Sequence, residues 1–166
     1  AIAFGDFVVT AELAADSTTV HYRKTLEPYT SPMIRYAVEL RYQVASTFAL
    51  TVGVSHDILI RPAADTLMER QNGVSVALIA LVRLLRERLQ LLGSVSYNPT
   101  WGDLYIHPRV TVEVQDRVSV ILGLQLFESF RPDAENSLAG LLAFTGGPVG
   151  YFRDNDYGYG MVQIAF

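Results

Sequence analysis

Two-residue alternation over strand-length segments limits what this chain can fold into more sharply than any other feature. The clearest case runs from Ile34 to Gln43, where Ile34, Tyr36, Val38, Leu40 and Tyr42 alternate with Arg35, Ala37, Glu39, Arg41 and Gln43. Successive strand side chains point to opposite faces, so the first set shares one face and the second set the other. After a tight turn at Ala45-Ser46 the pattern returns. Phe48, Leu50, Val52 and Val54 then alternate with Ala49, Thr51, Gly53, Ser55 and Asp57.

The same reading extends along the chain. Phe7, Val9, Ala11 and Leu13 oppose Asp6, Val8, Thr10 and Glu12, and a turn is expected at Ala15-Asp-Ser-Thr18. Beyond it Val20 and Tyr22 oppose Thr19, His21 and Arg23, followed by a polar loop from Glu27 to Pro32. The segment Val74 to Leu92 is rich in Leu and Arg and also fits an amphipathic helix. Because Gly93-Ser-Val-Ser-Tyr97 continues it in β register, the expectation is a hairpin turning at Arg86-Glu-Arg88. Leu104, Ile106, Val110, Val112 and Val114 oppose Tyr105, His107, Arg109, Thr111, Glu113 and Gln115. Pro108 falls on the apolar side and cannot donate to a ladder, which predicts a bulge or a sheet edge there. After a turn at Gln115-Asp-Arg117, Val118, Val120, Leu122, Leu124 and Leu126 form the next apolar stripe. Glu128 to Asp156 is rich in Gly, Pro and Asp and reads mainly as loop, and a last strand runs from Tyr157 to Phe166.

The expectation is a single all-β domain over residues 1–166, with about nine or ten antiparallel strands in up-and-down order. Tight connections near 15–17, 44–47, 86–88 and 115–117 alternate with longer ones at 27–32, 61–73, 98–103 and 128–156. Segments of about ten residues suit tilted strands that cross a bilayer, and transmembrane barrels pair short periplasmic turns with longer outer loops. Such barrels need an even strand count when both termini are periplasmic, whereas the alternation gives an odd one and puts Ala1 on the long-loop side. An extra strand at Asn136 to Thr145, a strand outside this sequence, or a second chain would complete the wall.

Composition bears on which face is wet. Of 166 residues half are hydrophobic and 18% are charged, with a mean hydropathy of +0.23, apolar for a soluble protein. Lys and Arg together number 13, and Lys24 is the sole lysine, whereas a water-facing shell is usually covered with Lys and Glu. Arginine suits fixed, partly desolvated positions where its planar fork meets a carboxylate. A lipocalin-like barrel binding an apolar ligand would turn the apolar stripes inward, and a membrane barrel turns them outward. Tyr22, Tyr36, Tyr42 and Tyr97, on the apolar stripes near strand ends, fit an interfacial girdle. The expectation is therefore a transmembrane β-barrel in contact with the lipid bilayer. Arg23, Arg35, Glu39, Arg41, Asp57, His107, Arg109 and Glu113 would line its lumen. If the chain closes alone, these charges should fill the interior as Arg–carboxylate pairs; as part of a wider wall they could line an open channel.

Mild net charge, −4, with no basic run offers nothing for nucleic acid. No cysteine is present, so disulfides and thiolate metal sites are excluded. The opening Ala-Ile-Ala-Phe-Gly-Asp shows no basic segment followed by an apolar one, and the expectation is that any signal peptide is already absent from this numbering. No enzymatic activity, cofactor or metal is expected. Ser55-His56-Asp57 has the residue types of a hydrolase triad, but in a strand His56 points away from the other two. His21 and His107 have no evident third ligand. Asp154-Asn-Asp156 with Asp103 or Glu135 could supply oxygen ligands for Ca2+, and reads more simply as a turn.

The last strand ends on Phe166 with Ile164 and Val162 two and four positions before it. This resembles the closing strand of Gram-negative outer-membrane β-barrels, which implies that Val162, Ile164 and Phe166 form a signal read by the barrel-assembly machinery. A wider resemblance spans Leu89 through Phe166, a little under half the chain. It is carried by Trp101 to Val112, by Asp116 to Phe127, and by Asp154-Asn-Asp156 before the final strand. These stretches resemble the C-terminal part of the large porin-like outer-membrane barrels of Gram-negative bacteria. The resemblance implies an outer-membrane location, a channel or an envelope conduit or anchor, and a chain that is part of a larger barrel.

Overall fold

Nine strands pair in strictly sequential order, each antiparallel to the next, in the computed structural model of the chain. It describes residues 1–65, 71–130 and 155–165. The strands are β1 (Ile2–Phe4), β2 (Phe7–Tyr22), β3 (Pro28–Ala45), β4 (Phe48–Leu59), β5 (Asn72–Leu84), β6 (Leu89–Asn98), β7 (Asp103–Gln115), β8 (Val118–Ser129) and β9 (Tyr157–Ile164). The up-and-down order and the β5–β6 hairpin match the alternation, and the described residues contain no helix. The sheet is open: β1 and β9 are its two edges and do not pair with each other.

Local chemistry sets the turns. β1 and β2 are joined through Gly5 at φ +58°, a left-handed conformation that suits a residue without Cβ. Residues 46–47 and 116–117 make two-residue connections, the second with Arg117 at φ +70°. Each follows a register shift, between Gln43 and Ala45 and between Glu113 and Gln115. Such bulges tighten the twist of the hairpin end. The β5–β6 turn carries Leu85, Arg86 and Glu87 in succession at positive φ.

The N-terminal region departs from the sequence reading. Ala15-Asp-Ser-Thr18 is not a turn: β2 runs through it, with an irregularity between Asp16 and Thr19. The Asp16 carboxylate accepts from the Thr18 amide at 2.8 Å, so the local bonding that favours a turn at Asx-Ser-Thr is used inside a bulge. The reversal comes at Gly5-Asp6 instead. β2 therefore runs from a tight turn to the long-loop end, opposite to the direction expected. Residues 28–32, expected as loop, belong to β3. Pro108 also differs from expectation, since β7 is a central strand. Its ladder with β8 skips His107 and Pro108 and resumes in unchanged register at Arg109. The missing N–H leaves a gap in the ladder without a bulge.

Register carries the alternation across the whole sheet. Val9, Leu40, Val52, Leu78, Val95 and Ile106 lie opposite one another in one row, the row beside it holds Val38, Val54, Val76 and Leu104, and a further row on the same face holds Val110, Leu122 and Gly160. Every apolar stripe thus falls on a single face. That face is uncovered: Leu40, Val52 and Leu78 are 43%, 39% and 44% exposed. The buried strand residues His21, Ser31, Ala49, Leu59, Asp103, Ile121 and Ser129 all fall on the other, charged face. Five of them, His21, Ser31, Leu59, Asp103 and Ser129, lie at the long-loop end of the sheet.

Candidate functional site

The charged face divides into two groups of functional side chains with a valley of small residues between them. On β3 and β4, Arg35 and Asp57 are direct cross-strand partners. Arg35 donates from Nε to Asp57 Oδ1 at 2.6 Å and from Nη2 to Oδ2 at 3.1 Å, the two-point geometry that a guanidinium and a carboxylate favour. Glu39 stands opposite Thr10 and Gly53, and Arg41 opposite Val8 and Thr51. The Glu39 side chain leans over Gly53, where a Cβ would sit 3.4 Å from its Cγ.

The second group is on β7. His107 Nε2 and the Tyr159 hydroxyl are 2.7 Å apart, joining β7 to β9 across β8. Arg109 lies opposite Leu92 and Gly123, and its Nε is buried without a partner among the described residues. Glu113 lies opposite Ser119. Between the groups, Gly53, Ser55, Ser75, Ala77 and Ser96 line a shallow pocket of about 160 Å³.

Seven of the eight lumen candidates, Arg35, Glu39, Arg41, Asp57, His107, Arg109 and Glu113, thus share one face. Arg23 is the exception in placement. It lies just beyond β2, where it donates to Asp65 at 2.9 Å and stands 5.5 Å from the Tyr29 ring centre. Around it residues 60–65 are tied to the β2–β3 end. Ile60 N–H donates to Pro32 C=O at 2.9 Å, Lys24 N–H to Asp65 C=O at 2.7 Å, and Ser31 Oγ to Arg61 C=O at 3.1 Å. Ser31, bonded to this segment, is fully buried, and His21 beside the Tyr29 ring is buried too. β2 and β3, at 16 and 18 residues, are the longest strands of the sheet, and this packed end is where they reach beyond β4 and β5.

The filling by Arg–carboxylate pairs is expected of a chain that closes alone, and this sheet is open. Among the described residues the ion pairs are Arg23–Asp65 and Arg35–Asp57. Glu39, Arg41, Arg109 and Glu113 have no charged partner there.

Ser55 and Asp57 share the charged face, while His56 is on the apolar face with its Nδ1 against the Tyr36 hydroxyl. The three form no relay. Asp103 Oδ1 accepts from Ser129 Oγ at 3.2 Å, and Asp156 Oδ1 accepts from the Phe127 amide at 2.8 Å. Their carboxylates therefore brace β8. Asp154, Glu135, the Asn136 to Thr145 segment and Phe166 lie outside the described residues. Val162 and Ile164 pair with Val120 and Val118 on the apolar face and are 64% and 56% exposed.

Sequence reasoning assigned no role to an aromatic cluster on the charged face formed by Tyr105, Phe127, Tyr157 and Tyr159 with His107. Its sequence signal was aromatic residues on the polar register, at Tyr105/His107 and Tyr157/Tyr159.

No protein-family model, curated protein or solved structure matches the chain.

Proposed function

We propose that the chain forms wall of a porin-like β-barrel in the outer membrane of a Gram-negative bacterium. The apolar face meets lipid, and the charged face lines a water-filled lumen that passes small solutes or serves as an envelope conduit. One observation carries this reading: the apolar stripes stand uncovered from β1 to β9, and the buried strand residues among those described all lie on the other face. Leaving a Val or Leu side chain in water forgoes about 1.5–3 kcal/mol of burial. Among the described residues only Ala49, Leu59, Trp101 and Ile121 are buried hydrophobics, so hydrocarbon outside the sheet takes the part of a core. The aromatic residues support it too. Phe7 and Tyr42 stack at 4.4 Å near the tight-turn end, while Tyr97 and Phe130 meet at 6.2 Å near the long-loop end. Those are the two heights at which interfacial aromatics stabilise a membrane barrel.

Open edges cannot face lipid. Because β1 and β9 run in the same direction, an all-antiparallel wall joining them takes an odd number of further strands, from another segment or a second chain. The scarcity of ion pairs supports a wide lumen over a filled one. The exposure of Val162 and Ile164 on the apolar side of the edge strand supports their reading as part of a signal for the assembly machinery.

A soluble barrel holding an apolar ligand needs the apolar stripes to meet across an interior, whereas here they stand on the face that carries no buried side chain among the described residues. Flotation with liposomes after alkaline extraction tests the proposal. The chain should float and should give current steps in a planar bilayer. Recovery in the aqueous fraction without detergent would reject it.

A further inference from the structure

The aromatic cluster on the charged face is a closed circuit. Ring centres are separated by 5.2 Å from Tyr105 to Phe127, 6.3 Å from Phe127 to Tyr157 and 6.5 Å from Tyr157 to Tyr159. Tyr159 and His107 are 5.9 Å apart, and His107 and Tyr105 6.0 Å. Three adjacent strands supply the rings, and the register puts Gln125 of β8 inside the circuit, directly opposite Tyr157 and in the row of His107. The five rings thus form an aromatic frame around the Gln125 position.

Covering a glycine accounts for only one of these rings. Tyr159 lies over Gly123, where a Cβ would overlap the ring, and aromatic cover of a strand glycine is a known device. Tyr157 has no such duty and is 49% exposed. Tyr105 and Phe127 extend the platform towards the long-loop end.

We propose that this frame binds a neutral carbohydrate. A pyranose presents a flat face of C–H bonds, weakly positive, that suits the negative face of an aromatic ring, and a rim of hydroxyls for polar neighbours. The Tyr159 hydroxyl and His107 bring polar groups to the frame, and Gln125, at the central register position, carries an amide with both donors and an acceptor. Charge argues against an organic cation, the other ligand that aromatic cages attract. No carboxylate belongs to the circuit, the nearby Asp156 Oδ1 accepts from the Phe127 amide, and Arg109 occupies the adjoining position on β7. The proposal rests on the membrane-wall reading only in taking the charged face as the wet one.

Saturation-transfer NMR on the full chain tests it, in a detergent without a sugar headgroup, with maltohexaose as probe and choline as comparison. Maltohexaose should receive saturation at its ring C–H protons and choline should not. Tyr157→Leu and Gln125→Leu should each weaken maltohexaose binding by at least about threefold, the scale of one lost aromatic or hydrogen-bonding contact. Tyr97→Leu, on the opposite face, should leave it unchanged. No transfer to maltohexaose, transfer indifferent to both charged-face substitutions, or stronger transfer to choline would overturn the proposal. Flotation reports separately: a floating chain without maltohexaose transfer loses the platform and keeps the membrane reading, and the converse result does the opposite.

Discussion

Tyr159 of β9 lies across Gly123 of β8, and its hydroxyl reaches over that strand to His107 of β7. The edge strand β9 is thereby fastened to the sheet by more than its ladder. Any side chain at position 123 must displace the ring. Gly123→Val should cost about 1–3 kcal/mol, the usual range for overpacking. Tyr159→Ser should recover part of that loss in the double variant. Urea unfolding of the four proteins in one detergent measures the coupling, and additive effects would mean that the ring does not occupy this site.

Neighbouring residues on β3 should respond oppositely to one charge. Leu40→Arg puts a guanidinium on the apolar face, at about 2–4 kcal/mol if it lies near the bilayer midplane. Glu39→Arg, one position earlier, leaves that face untouched. Folding into lipid vesicles, followed by protease protection, should fail or slow markedly for the first and proceed normally for the second. Equal tolerance of both would reject the assignment of faces.

Glu39 has no ion-pair partner among the described residues, so under the proposed function its charge would act on the lumen. Reversing a lumen charge shifts a pore's preference towards the opposite ion. Reversal potentials under a KCl gradient should move towards anion selectivity in Glu39→Arg and towards cation selectivity in Arg41→Glu. The apolar-face control Val52→Ala should leave them unchanged.

The Arg35–Asp57 pair, despite its two-point geometry, should contribute little to stability. Its side chains are 56% and 41% exposed, and water screens such pairs to below about 1 kcal/mol. A double-mutant cycle of Arg35→Gln and Asp57→Asn should return a coupling under that value, and smaller still at high salt. A coupling of several kcal/mol would place the pair in a much drier setting than the charged face provides.

Much of the sheet was legible because side-chain direction in a strand follows sequence parity and little else. Ile34 to Gln43 and Phe48 to Asp57 pair in the register their alternation implies, and the Val74 to Leu92 segment is a hairpin despite its helical composition. Legibility failed where one residue type serves two structures. Asp16-Ser-Thr18 has turn chemistry yet spends it on a bulge, while the real reversal at Gly5-Asp6 was hidden inside a run of alternating residues. Pro108 was read by its missing donor alone, and a central strand accommodates that loss as a single gap. The shared face of the lumen candidates was predictable for the same parity reason. Pairings such as Arg35 with Asp57, and the aromatic circuit across β7, β8 and β9, depend on cross-strand register, which no single segment encodes.

The central claim is that the apolar face touches hydrocarbon and the charged face touches water. With no native cysteine, single cysteines at positions 37–40 of β3 and 51–54 of β4 can carry nitroxide labels in the chain folded into lipid vesicles. Labels at 38, 40, 52 and 54 should collide preferentially with oxygen, which concentrates in the bilayer, and those at 37, 39, 51 and 53 with a water-soluble nickel chelate. The same two-residue period with the reagents exchanged, or no period at all, would contradict the account.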